Sequence, residues 1–134
     1  MDSSLPKKLK EPLTKEQEHQ TLFKVLSKIQ DSWQFADTEI RQMIHCKKST
    51  FSRWKTNESI PVNKGDVEFE LIIHFFAIQR SLRLMFPNPK DQVGWLKAAG
   101  HKYYQDAPMS VITESVSGLI EIRRYLDYVR GLGS

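Results

Sequence analysis

Apolar residues recur at helical spacing along most of the chain. In the stretch EQEHQTLFKVLSKIQDSW they come at intervals of three or four residues, which is the spacing of one buried face of an α-helix. Thr14 and Gln17 stand just before this stripe in the pattern of a capping box, so a first helix is predicted to begin there. The stripe consists of Leu22, Leu26, Ile29 and Trp33.

Two shorter helices are predicted in the next part of the chain. The segment EIRQMI has an apolar face and can be capped by Asp37 or Thr38, because both side chains accept hydrogen bonds from the first helical amides. After a break, residues 47–55 predict a third helix in which Phe51 and Trp54, three residues apart, point inward.

The second half of the chain begins with its most apolar segment, VEFELIIHFFAIQRSLRLMF. Because this segment is apolar almost all round at its centre, its helix is predicted to be buried by several neighbours, and a second subunit is one candidate. Two further short helices and a final one, near residues 116–130, follow. The final helix is predicted to bury Leu119, Ile122, Leu126 and Val129.

No segment alternates between polar and apolar residues with the period of two that a half-buried strand requires. The chain is therefore predicted to be all-α. Its 134 residues suit one domain or two small ones.

The positive charge of the chain is concentrated in one short window. The formal net charge is only +4, but residues 40–55, IRQMIHCKKSTFSRWK, hold five basic residues and no acidic one. Clustering on one element is the electrostatic footprint expected of a nucleic-acid interface. The alternative is a helical hairpin whose basic face is simply solvated.

A helix-turn-helix requires two short helices locked by apolar residues, with polar and basic groups on the outer face of the second. The two predicted helices meet this requirement. Arg53 can donate two hydrogen bonds to a guanine edge, whereas Lys47 and Lys55 suit phosphates. The predicted DNA-binding residues are Lys47, Lys48, Ser49, Thr50, Ser52, Arg53 and Lys55.

The stretch IRQMIHCKKSTFSRWKTNESIP also resembles the Xre-type, lambda-repressor-like helix-turn-helix family. STFSRW is similar to the recognition helix, and Pro61 matches a proline that often follows it. Three positions differ from the family pattern. Arg41 stands where a small residue is usual, His45 replaces the turn glycine, and Asn57 replaces a second glycine near the predicted end of the helix.

The segment from residue 80 onward resembles the toxin-binding domain of the Xre/MbcA/ParS antitoxins. The matching features are Leu-Met-Phe-Pro at 84–87, Trp-Leu at 95–96, Pro-Met at 108–109 and the ending YLDYVRG. The loop GHKYYQDA differs from the small residues and glycines that are usual there. Arginines and aromatics are enriched in interface hot spots. The expected toxin-binding residues are Arg123, Arg124, Tyr128, Arg130 and Gly131.

The resemblance implies an antitoxin that blocks the active site of a RES-type, NAD-consuming toxin and represses its own operon. Its implied partners are that toxin, operator DNA and a second copy of the chain in a homodimer. The polar, lysine-rich composition of residues 1–13 predicts a flexible basic arm. The resemblance implies an Xre-like helix-turn-helix domain at 14–64 and a toxin-binding domain at 65–134. The alternatives are a stand-alone helix-turn-helix regulator with a C-terminal dimerisation domain, and a toxin-binding antitoxin that no longer binds DNA.

An enzyme is not predicted. The residue types that could carry catalysis occur at His19, His45, Cys46, His74 and His101. The histidines and the single cysteine do not show the spacing of a zinc site, no glycine-rich phosphate loop occurs, and no cofactor or metal is expected.

The N-terminus has no apolar signal-like region, the run LIIHFFAI is too short to span a bilayer, and a lone cysteine fits a reducing compartment. A cytoplasmic location is therefore expected.

Overall fold

A computed structural model describes residues 11–100 and 105–131, and helices make up most of them. No strand occurs within these ranges, which confirms the all-α prediction. None of the helices found there is long and apolar enough to cross a bilayer. The helices are α1 (Lys15–Trp33), α2 (Asp37–Met43), α3 (Lys48–Asn57), α4 (Val67–Met85), α5 (Pro89–Lys97), α6 (Pro108–Glu114) and α7 (Val116–Val129).

Parts of two predicted features lie outside the described residues. They are most of the basic arm, at residues 1–10, and the centre of the loop GHKYYQDA, at 101–104. Residues 132–134 also lie outside the described part of the chain.

The first helix begins as its capping box predicts. Thr14 Oγ1 accepts a hydrogen bond from the Gln17 amide at 3.1 Å, and the Thr14 amide donates to Gln17 Oε1 at 2.9 Å. The predicted cap of α2 is wrong. Ala36 occupies the cap position, where its amide donates to Glu39 Oε1 at 2.9 Å. Asp37 is instead the first helical residue, and its carboxylate accepts hydrogen bonds from Lys55.

The third helix ends at Asn57, close to its predicted end, and Glu58 adopts the left-handed conformation after it, with φ of 49°. The last residue of α7 differs from the prediction. Val129 is 45% exposed instead of buried. Its exposure follows from length, because α6 has seven residues and α7 has 14, or about 10 Å against about 20 Å. The last turn of α7 therefore extends beyond α6.

The buried side chains form one cluster that includes residues of every helix from α1 to α7. Within it, α7 packs against α4 and α6, and α5 packs against α1 and α6. Trp33 Nε1 donates to Gln92 Oε1 at 2.8 Å, and Gln92 Nε2 donates to the Phe86 carbonyl oxygen at 2.8 Å. Gln92 is almost fully buried, so this satisfied polar chain ties the first half of the sequence to the second.

Candidate functional site

The basic helix pair has the apolar lock that a helix-turn-helix requires. The side chains predicted to point inward are buried, which confirms that orientation. Trp54 is 4% exposed, and its ring centroid lies 6.4 Å from that of Phe51 in a tilted arrangement. The remaining buried members of the lock are Ile40, Met43 and Ile44.

The turn between the two helices explains how His45 replaces the usual glycine. His45 has a φ of 55°, and the amides of His45 and Cys46 donate to the carbonyl oxygens of Gln42 and Arg41. This hydrogen-bond pattern is a Schellman motif, in which glycine is common because a left-handed residue is required. The side chain of His45 helps to offset the cost of this left-handed conformation, because its Nε2 donates a hydrogen bond to the Ile112 carbonyl oxygen at 2.7 Å. The turn is thereby attached to α6.

The outer face of α3 carries polar residues opposite the buried Phe51 and Trp54. Ser49, Ser52 and Arg53 are exposed on this face, as predicted, whereas Thr50 is half-buried. Thr56, which was not predicted, is also exposed there. The sequence contained the signal for Thr56, because it follows Ser52 by four residues and Arg53 by three, the spacing of neighbours on one helix face.

The basic residues of the window are used in different ways. Lys55 Nζ lies 2.8 Å from Asp37 Oδ1, and hydrogen bonds from Lys55 and Gln30 lower the pKa of Asp37. Lys55 therefore also holds α3 against α2. Arg41 Nη1 donates to the Cys46 carbonyl oxygen at 3.3 Å, so this guanidinium folds back over the turn.

The cations best presented to a ligand are Lys47, Lys48 and Arg53, which are exposed. Lys47 and Lys48 stand at the N-terminus of α3, whose first turn contains no acidic residue. The positive end of the helix dipole lies at the same place. This end of α3 combines side-chain and backbone positive charge.

The five residues expected to bind a toxin divide between two sides of α7. Arg123 and Arg130 turn toward α4. Arg123 donates to Asp127 Oδ2 and to His74 Nδ1, both at 3.0 Å, and Arg130 Nη1 donates to Ser81 Oγ at 2.9 Å. Ser81 is fully buried. These two arginines therefore help to join α7 to α4.

The other members of that set lie on the outer side of α7 or at its end. Arg124 is exposed, and Tyr128 is 72% exposed, one turn apart on the same face. Gly131 follows the helix with a φ of 77°, a conformation that glycine adopts without strain. The outward part of the candidate surface thus consists of an arginine and a tyrosine.

A groove of about 540 Å³ separates α7 from the outer face of α4. Arg80, which was not predicted, lines this groove together with Arg123 and Arg130. Burial lowers the pKa of His74, and the nearby Arg123 adds to the effect. Since arginine only donates hydrogen bonds, His74 Nδ1 must accept the one from Arg123, and a neutral imidazole ring can do so.

Cys46 is half-buried in the turn between α2 and α3. Burial raises the pKa of its thiol to about 11, so the nucleophilic thiolate is scarce at neutral pH. Across residues 11–100 and 105–131, the structure brings together no group of three or more His, Cys, Asp or Glu residues that could hold a metal ion.

In comparisons with known proteins, no protein-family model matches the chain, and no curated protein sequence matches it significantly. The functional assignment therefore rests on the two surfaces and on the resemblance of the sequence motifs.

Proposed function

We propose that this protein is a DNA-binding antitoxin of a type II toxin–antitoxin pair. In this proposal a homodimer represses its own operon through α3, and the outer face of α7 neutralises a RES-type, NAD-consuming toxin by blocking its active site. The proposed setting is the bacterial cytoplasm.

The observation that carries the DNA-binding role is the arrangement of α3. Its apolar residues are buried against α2, while Lys48, Ser49 and Arg53 are exposed on its N-terminal and outer surfaces. In the helix-turn-helix motif, residues near the N-terminus of the second helix contact base edges in the major groove. Lys47 and Lys48 suit the phosphates, and Arg53 suits a guanine.

The toxin-binding role is supported by the outer face of α7 and by the motif resemblance of the second half of the chain. Arg124 and the largely exposed Tyr128 have the side-chain types enriched in interface hot spots. Neither belongs to the buried cluster of the described residues. This face can engage a partner without disturbing the fold.

Arg53→Ala is expected to weaken binding to the cognate operator by about 1–3 kcal/mol and to relax specificity, because a base-reading contact is lost. Lys47→Ala is expected to weaken all DNA sequences alike and to reduce the salt dependence of binding by one phosphate contact. Electrophoretic mobility shifts on the chain's own promoter and on random DNA, over a range of salt concentrations, measure both effects.

Lys90→Ala is the matched control, because Lys90 is an exposed lysine of α5 and its loss should leave DNA binding unchanged. The DNA-binding proposal fails if the unaltered protein, at low salt, shifts its own promoter no better than random DNA.

Tyr128→Ala and Arg124→Glu are each expected to reduce protection of cells that express the toxin, and the double variant to abolish it. Both changes lie on the exposed face of α7, so the melting temperature should be unchanged. Arg130 is less suitable for this test, because its substitution also removes the hydrogen bond to the buried Ser81. Survival and co-purification with the product of the adjacent gene are the two measurements.

Lys90→Glu reverses an exposed charge of the same sign on α5 and should protect fully. Full protection by the double variant at equal expression would exclude this face as the inhibitory surface. If the adjacent gene product neither kills cells nor co-purifies with the chain, while operator binding remains, the protein is a stand-alone transcriptional regulator instead.

A further inference from the structure

The long helix α4 is apolar on two sides. Its inner side belongs to the core, where Phe75, Ile78 and Leu82 are fully buried. Its outer side carries a second apolar group within about a third of the helix circumference, at about 100° per residue. The outer group, here called the outer α4 face, consists of Phe69, Ile73, Phe76, Ala77 and Leu84.

The described residues cover this face only in part. Leu84 is 56% exposed, and Phe69, Ile73 and Phe76 are half-buried. The face therefore leaves part of its apolar surface open to solvent, and open apolar surface on one helix face is a feature of interaction sites in soluble proteins. The groove between α4 and α7 opens onto the same face and is lined by Ile73, Phe76 and Ala77.

Charge is distributed unevenly along α4. Glu68 and Glu70 lie in its first turn and Arg83 in its last, with Arg80 one turn earlier on the outer side. All four side chains are exposed. A helix with an acidic beginning and a basic end is complementary to a second copy of itself running in the opposite direction.

We propose that the outer α4 face is the interface of a two-fold homodimer in which the two α4 helices pack antiparallel. The two-fold axis passes near Phe76 and Ala77. Ile73 then lies opposite the partner's Arg80, whose aliphatic stem covers it, and Phe69 lies near the partner's Leu84.

The same symmetry brings opposite charges together. Glu70 lies on the side of the outer face that borders α7. In an antiparallel pair it approaches the other end of that side, where Arg130 is fixed by its hydrogen bond to Ser81. Glu70 therefore faces Arg80 of the partner subunit and Arg130 of the partner subunit. A parallel pair would place the acidic ends together and the basic ends together, which is repulsive.

A two-fold axis is what a helix-turn-helix dimer requires on a palindromic operator. The inference deepens the homodimer of the proposed function, but its test requires neither DNA nor toxin. If the protein is a dimer that does not bind operator DNA, the DNA-binding role is excluded and the proposed interface is retained. If the protein is a monomer that binds operator DNA, the interface is excluded and the DNA-binding role is retained.

The first measurement is the mass in solution by sedimentation velocity. The unaltered chain is expected at twice its monomer mass of 15.6 kDa. Ile73→Arg is expected to give a folded monomer with an unchanged circular dichroism spectrum. Val25→Arg on α1 introduces the same charge at another exposed apolar residue, 38% exposed, and should remain a dimer.

The second measurement tests the orientation of the helices. Glu70→Arg and Arg80→Glu should each raise the dissociation constant of the dimer about tenfold or more, and the two changes in one chain should largely restore it. Three results would overturn the proposal. They are a monomeric unaltered chain at 100 μM, an undisturbed dimer in Ile73→Arg, and a combined variant no tighter than the single ones. Loss of toxin co-purification in an Ile73→Arg chain that stays dimeric would assign the face to the toxin.

Discussion

Replacing Trp54 with alanine is expected to lower the free energy of unfolding by about 3–5 kcal/mol, as is typical for removal of a buried aromatic side chain. Trp54 is 4% exposed, and α3 has only Phe51 as a second buried residue. The substitution therefore removes one of the two buried side chains that hold the proposed DNA-reading helix in place. Urea denaturation, followed by circular dichroism, measures the change.

Thr56→Ala provides the comparison, because Thr56 lies on the opposite, exposed face of the same helix. Surface changes of this kind usually stay within about 0.5 kcal/mol. If Trp54→Ala left the unfolding curve in place, Trp54 would face solvent, and the assignment of Ser49, Ser52 and Arg53 to the outer face would be reversed.

The second large effect is expected at Gly118, where α7 passes close to α6. A Cβ atom built on Gly118 would lie 1.9 Å from the Val111 carbonyl oxygen and 2.9 Å from the Val111 carbonyl carbon. Both atoms belong to the backbone, so the clash cannot be relieved by turning a side chain. Gly118→Ala is therefore expected to destabilise the fold by about 3 kcal/mol, at the upper end of the usual range for overpacking.

Gly94 in α5 is the matched control, because a Cβ there meets no atom within 4 Å. Gly94→Ala should stabilise the protein by roughly 0.5–1 kcal/mol, since alanine favours a helix more than glycine does. The close approach of α6 and α7 would be disproved if the two substitutions had the same sign and size in thermal unfolding.

Local pattern was sufficient for most of the helices. The stripe of Leu22, Leu26, Ile29 and Trp33 indicated α1, although Leu22 is only half-buried, and the capping box placed its first turn correctly. The same reasoning gave the inward direction of Phe51 and Trp54. These features could be predicted because the periodicity of a helix and the hydrogen bonds of its first turn involve residues that are neighbours in sequence.

Helix caps were less predictable where distant partners compete for a side chain. Asp37 has a favourable residue type for the cap of α2, but its carboxylate accepts hydrogen bonds from Lys55, which is 18 residues away. The cap position therefore passes to Ala36, whose amide is satisfied by Glu39. Residue type shows what a side chain can do, and the tertiary structure determines which partner it meets.

For the two candidate surfaces, too, the sequence showed the residue types and the tertiary structure determined their partners. The clustering of basic residues on one short helix is visible in the sequence, as is an arginine- and tyrosine-rich final helix. The sequence could not show that Lys55 is paired with Asp37, or that Arg130 reaches the buried Ser81, which is 49 residues away. Because of these pairings, only some of the predicted DNA-binding and toxin-binding residues point outward without a partner in another of the described helices.

By itself, the sequence determined the helical class, the positions of the helices and the basic character of the second helix of the pair, because each depends on residue type and short-range spacing. Only the tertiary structure decided which charges point outward, why histidine is accommodated at a left-handed turn, and that α4 keeps an apolar outer face. Those outcomes depend on contacts between segments far apart in the chain. His45 and Ile112 are such a pair, and their hydrogen bond exists only once α2 and α6 have packed together.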